Sequence, residues 1–162
     1  MTPAFLKSPH GSDPVVVEST FKAPPARVFR AWTDPAEVKA WFGQAPHSMT
    51  TVEIDLRQGG AWTFTMPPTE VSRDTLRGTY VTVEPDRKLV FTWCHEREFA
   101  DGRVEVTPDS EVTVTFEPAE QGTFVRLTHA GIRKDDARKG VGSGWSASFG
   151  SIHALLERGA AA

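Results

Sequence analysis

Residues 50–66 read TTVEIDLRQGGAWTFTM, and this stretch decides the fold class. Val52, Ile54 and Leu56 alternate with Thr51, Glu53, Asp55 and Arg57. Gly59-Gly60 makes a tight turn, after which Trp62, Phe64 and Met66 alternate with Ala61, Thr63 and Thr65. A period of two sends successive side chains to opposite faces, so the stretch is a hairpin with one apolar face and one wet face. The pattern recurs downstream. Leu76, Gly78, Tyr80 and Thr82 oppose Arg77, Thr79, Val81 and Val83, and Leu89, Phe91, Trp93 and His95 share a face after the turn at Pro85–Lys88. Val112, Val114 and Phe116 alternate with polar residues, and Val125, Leu127 and His129 follow a turn near Gln121-Gly122. The segment from Glu96 to Asp109 is too polar to bury and reads as a loop. Upstream, Val15–Phe21 is one more strand. About six or seven strands joined mostly by hairpin-length turns make an antiparallel sheet, one face of which must be covered.

Two short helices interrupt the strands. Pro24-Pro25 halts the first strand, Pro25 suits a first helical position, and Val28, Phe29 and Trp32 follow at helical spacing. Asp34-Pro35-Ala36-Glu37 then starts a second helix, with Asp34 as cap and Glu37 placed to reach back to the cap amide. Val38, Trp41 and Phe42 are its apolar face, and Gly43 supplies the stop. The cover comes from the C-terminus, where Trp145, Phe149, Ile152, His153 and Leu156 form one helical stripe. A helix from Ser143 to Arg158 is about 24 Å long and crosses several strands. Arg133–Gly144 is charged and then glycine-rich, a poor continuous helix, and Gly140–Gly144 with the first helical turn reads as a hinge and as the gate to whatever lies beneath. Met1–Pro14 has the composition of a flexible tail.

Composition narrows the function classes. A chain of 162 residues has the size of one domain. Lys plus Arg is 18 against 21 Asp plus Glu, which argues against non-specific nucleic-acid binding. The one cysteine, Cys94, excludes an internal disulfide and most thiolate metal sites, and fits a reducing, cytoplasmic compartment. No apolar run approaches the roughly 20 residues of a membrane span, so no membrane association is expected. Five Trp and ten Phe against one Tyr point either to a thick core or to a cavity with aromatic walls.

The run from Pro25 through Pro35 into Trp41-Phe42-Gly43, then Asp55–Gly60, Gly78-Thr79-Tyr80, Glu84-Pro85, Leu89–Trp93 and Gly144-Trp145, resembles the START-like helix-grip (SRPBCC) superfamily. Within it, the chain is similar to the bacterial branch named for the activator of heat-shock-protein-90 ATPase, from about Val15 to Leu156. The resemblance implies an α+β helix-grip domain over residues 15–162, in which a curved antiparallel sheet grips a long C-terminal helix. It also implies a deep, mostly apolar cavity between them, holding lipids, hormones, polyketides or other hydrophobic molecules.

Trp62, Phe64, Tyr80, Phe91, Trp93, Phe116, Trp145 and Phe149 are the candidate lining. A solid core is the competing reading, because parity does not distinguish a wall from a plug. His95, His129 and His153 share the apolar face; His129 and His153 join the candidate ligand-binding set as polar anchors. The alternative is that each histidine hydrogen-bonds a backbone group at an element's edge. No catalytic residue, cofactor or metal is assigned: there is no HExxH, nucleophile elbow or dinucleotide fingerprint, and Gly140–Gly144 lacks the ending of a phosphate loop. The expected function is binding of an apolar or aromatic small molecule by a monomer or homodimer. The alternatives are a cyclase- or dehydratase-like enzyme and a co-chaperone-like module. Family members that activate the chaperone carry a further N-terminal domain, so with fourteen residues ahead of the first strand no chaperone contact is expected.

Overall fold

Alternation of apolar and polar residues produces strands wherever the sequence shows it, and every pairing is antiparallel. The computed structural model describes residues 5–42 and 51–161. The elements are β1 (Val15–Phe21), α1 (Pro25–Thr33), α2 (Pro35–Trp41), β2 (Thr51–Ile54), β3 (Ala61–Thr65) and β4 (Ser72–Glu84). Then come β5 (Lys88–Phe99), β6 (Val104–Val106), β7 (Ser110–Ala119), β8 (Gly122–Ala130) and α3 (Asp135–Ala161). The sheet order is β1-β8-β7-β5-β4-β3-β2, with β6 paired to β5 off that path. The fold is α+β: a curved eight-stranded antiparallel sheet, two short helices after the first strand, and a long C-terminal helix. Phe21, Val114, Leu127, Phe149 and Ile152, all fully buried, mark the core between sheet and α3.

Four local expectations need correction. The polar segment from Glu96 is not all loop: β5 continues to Phe99 and folds back, pairing Glu96 with Val106 and Glu98 with Val104. All three β6 residues are exposed, so these strands hydrogen-bond beyond the reach of the core and need no apolar face. Along β4 the register slips between Tyr80↔Phe91 and Thr82↔Val90, making Val81 the extra residue of a β-bulge. Val81 is 44% exposed, and Val83 rather than Thr82 packs against the core. Glu37 does not reach back to the cap amide, because the Asp34 amide already donates to Arg30 O at the end of α1. Glu37 instead pairs with Arg27 and Arg30 across the two helices, while the Asp34 side chain caps α2 at Ala36 N as expected. Gly43, the expected stop, lies outside the described residues.

The fourth correction concerns the hinge. α3 begins at Asp135 and runs unbroken through Gly140, Gly142 and Gly144. Its first turns are held by residues 5–13, part of the expected tail. Leu6 is buried beside β1, Lys7 N donates to Val16 O at 2.8 Å, and Arg138 donates to Gly11 O at 2.6 Å. Gly142 leaves room for that strap, since a Cβ there would sit 3.4 Å from Leu6 Cδ1. The glycines therefore let another segment approach the helix instead of breaking it.

One crossing shapes the middle of the sheet. Trp62 faces Gly78 across the β3–β4 pair, and its indole N–H donates to Thr92 O on β5 at 3.1 Å. The Thr79 amide is left to the Thr92 hydroxyl, 2.9 Å away. A Cβ on Gly78 would lie 1.9 Å from Thr92 O and 2.6 Å from the indole nitrogen. We predict that Gly78→Ala costs about 3 kcal/mol or more, the upper end of overpacking effects, because backbone must move. Urea denaturation measures it; an unchanged midpoint would show that the indole does not cross there.

Candidate functional site

α1, α2 and α3 close over β3, β4 and β5 to make an aromatic chamber. Trp32, Val38, Trp41, Phe42, Trp62, Phe64, Tyr80, Phe91, Trp93 and Trp145 line it. The rings meet edge to face and tilted: Phe42 lies 4.7 Å from Phe64, Trp62 5.5 Å from Trp93, and Trp93 5.4 Å from Trp145, centroid to centroid. The space left between them is about 20 Å³. In this state the wall is nearly a plug. A hollow of about 240 Å³ lies on the opposite face of the sheet over the Gly78–Thr92 crossing, but it is open and lined by Arg77, Thr79, Thr92 and Asp109.

The sequence named six of the chamber's residues: Trp62, Phe64, Tyr80, Phe91, Trp93 and Trp145. It missed Trp32, Val38, Trp41 and Phe42. Their helical spacing placed them on apolar faces, and only the folding of α1 and α2 over the sheet brings them to the chamber. The other candidates lie elsewhere. Phe116 packs on Phe29 and Trp32, and Phe149 on Phe21 and Trp32, both within the core. His153 stacks between Phe21 and Phe5 and bonds the Ser19 hydroxyl at 2.7 Å. Burial pushes its pKa down, aided by Lys22 and opposed by Glu157.

His129 sits behind the chamber wall, fully buried. An indole nitrogen only donates, so Trp145 Nε1–H donates a hydrogen bond to His129 Nδ1 at 3.1 Å, which places the imidazole's own proton on Nε2. Nε2–H donates to Ser110 Oγ at 2.7 Å, and that hydroxyl donates on to Trp93 O at 3.4 Å. Two chamber tryptophans are thereby joined through one neutral imidazole. Burial pushes the His129 pKa down to about 3, against a weaker pull from Asp13. His95 is farther along β5, beyond Trp93, and bonds Asp74 at 2.9 Å; Arg97 bonds the same carboxylate oxygen at 2.7 Å. Burial pushes the Asp74 carboxyl up, but hydrogen bonds from Arg97, His95 and Ser72 outweigh it and hold the pKa below its ordinary value.

Residues 22–157 match the family described as activator of Hsp90 ATPase homolog 1-like protein. The chain belongs to this family. The SPO3351 protein of Silicibacter pomeroyi is 26% identical with a TM-score of 0.70, over 89% of this chain and 97% of that one. DynU16, a protein of the dynemicin biosynthetic locus, shares the fold at 23% identity and a TM-score of 0.69, over 91% of this chain and 48% of that one. Protein C1711.08 of Schizosaccharomyces pombe is 27% identical over 116 residues, which is 70% of this chain and 28% of the yeast protein. The chain thus spans less than a third of that curated relative. Among the described residues, no helix is long and apolar enough to cross a membrane, and no group of three or more metal-ligating side chains converges.

In this member of the family the imidazole of His129 imposes a pH dependence. Its folded pKa of about 3 lies below the ordinary 6.5. Between those values the unfolded chain binds the proton and the folded chain refuses it, so stability rises with pH. It is full above about 6.5 and falls as the solution is acidified, by about 1.4 kcal/mol per pH unit for this group. His153, also pushed down, adds to the loss. We expect roughly 2 kcal/mol to vanish between pH 6.5 and 5, and His129→Gln to remove most of that slope. Urea midpoints across the range test this; parallel curves for the two proteins would refute it.

Proposed function

We propose that the chain binds an apolar, aromatic small molecule in the chamber beneath α1, α2 and α3. The supporting observation is the lining itself: eight of its ten residues are Trp or Phe, and Tyr80 adds a single hydroxyl. An enclosed apolar hollow with few polar groups is the common form of a small-molecule site. A benzene-sized guest needs roughly 150 Å³, far more than the space present, so the occupied chamber is wider than the empty one. Phe42 stands in extended backbone just past α2, whereas the other lining side chains are set in helices or strands. The cyclase-like alternative needs an acid and a base facing the guest. His129 faces Trp145 and Ser110 instead, and burial keeps the Tyr80 phenol protonated by pushing its pKa up.

Native mass spectrometry of freshly purified protein and calorimetric titration with indane, a small two-ring hydrocarbon, test this reading. Saturable binding with a negative heat-capacity change is expected. Phe91→Trp, which adds volume to the wall, should weaken it about tenfold while costing about 1–3 kcal/mol of stability. Absence of a co-purifying molecule together with no binding across a panel of one- and two-ring hydrocarbons would overturn it.

A further inference from the structure

Of the five chamber tryptophans, Trp32, Trp41, Trp62 and Trp145 are buried, but their indole N–H groups fare differently. Trp41 donates to Ala31 O at 2.7 Å, Trp62 to Thr92 O at 3.1 Å, and Trp145 to His129 Nδ1 at 3.1 Å. Trp32, 5% exposed, has no acceptor among the described residues for its Nε1–H. Leaving a buried donor unmade costs about 1–3 kcal/mol, so such a group calls for an explanation. The rings of Trp41, Trp145, Phe116 and Phe149 pack around the Trp32 ring, centroids 4.9 to 6.3 Å away, and none of them carries an acceptor.

A trapped water is a poor substitute. The free space of about 20 Å³ is enough for one, but a buried water wants two to four polar partners. Among the described lining, Tyr80 supplies the other polar side chain facing the chamber apart from indoles. An anion fits no better, since the described lining holds no cationic side chain and an unpaired buried charge is strongly disfavoured. What the wall lacks is a neutral hydrogen-bond acceptor on a flat, apolar body.

We propose that the natural guest is an uncharged aromatic ketone or quinone whose carbonyl oxygen accepts the Trp32 Nε1 hydrogen. This rests on the chamber reading above and adds the guest's polarity to it. The flat ring system stacks among the tryptophans at the spacing that aromatic pairs prefer. In a quinone, the second oxygen is available to the Tyr80 hydroxyl.

The test compares indane with 1-indanone, which differ by one carbonyl. Calorimetric titration of the wild-type protein should show the ketone binding about 3- to 10-fold tighter, the worth of one hydrogen bond. Trp32→Phe removes the donor and keeps a ring; whatever it does to the two affinities in common, it should abolish the ratio between them. Should that variant fail to fold, the indole proton resonance of Trp32 in the wild-type protein gives the same information. It should move downfield with 1-indanone and stay near its free position with indane. Equal affinities and no downfield movement would overturn the carbonyl proposal and leave the chamber reading intact. Failure of both compounds to bind would remove the chamber reading and the proposal with it.

Discussion

A sheet with one aromatic face cannot stand in water, and the packing of α3 against that face is the constraint from which the other features follow. Trp145, Phe149, Ile152 and Leu156 recur on one side of the helix and are all buried. To lie flat they need the sheet to curve around them, which the bulge at Val81 assists by bending β4. They also need the first turns of α3 close to β1, and glycine at position 142 lets Leu6 come between. α1 and α2 then close the remaining side, with Trp32 stacked 5.8 Å from Trp145.

Most of this architecture was legible because strand alternation and helical spacing are local signals. β1 runs from Val15 to Phe21, as its pattern states, and Pro25, Asp34 and Pro35 mark helix starts by fixed local chemistry. The misses come where a distant contact overrides a local rule. Nothing near Val81 announces an extra residue, since the bulge exists only relative to β5. Gly140–Gly144 has poor intrinsic helix propensity, and the strap of residues 5–13 supplies the contacts that make it helical. Residues 96–106 lack an apolar face because they pair outside the core.

The candidate site was readable to a lesser degree, for a geometric reason. Parity assigns a side chain to a face but not to a place on it. Phe116 and Phe149 share a face with Trp93, yet one packs under α1 and the other against β1. His129 shares it too, and is turned away by the indole of Trp145 and the hydroxyl of Ser110. Whether rings leave room is a question of volume, which no periodicity encodes; here they nearly fill it.

The closeness of β1 to β8 and α3 has a bearing on synthesis. Val15 pairs with His129, Ser19 bonds His153, and Leu6 rests beside Gly142. During translation β1 has no strand partner until β8 emerges, and the aromatic face has no cover until α3 does. Contacts of such long sequence separation form late and slow the search for the native state. A nascent chain of this protein therefore presents its stickiest surface until α3 has emerged, and burial waits for that helix.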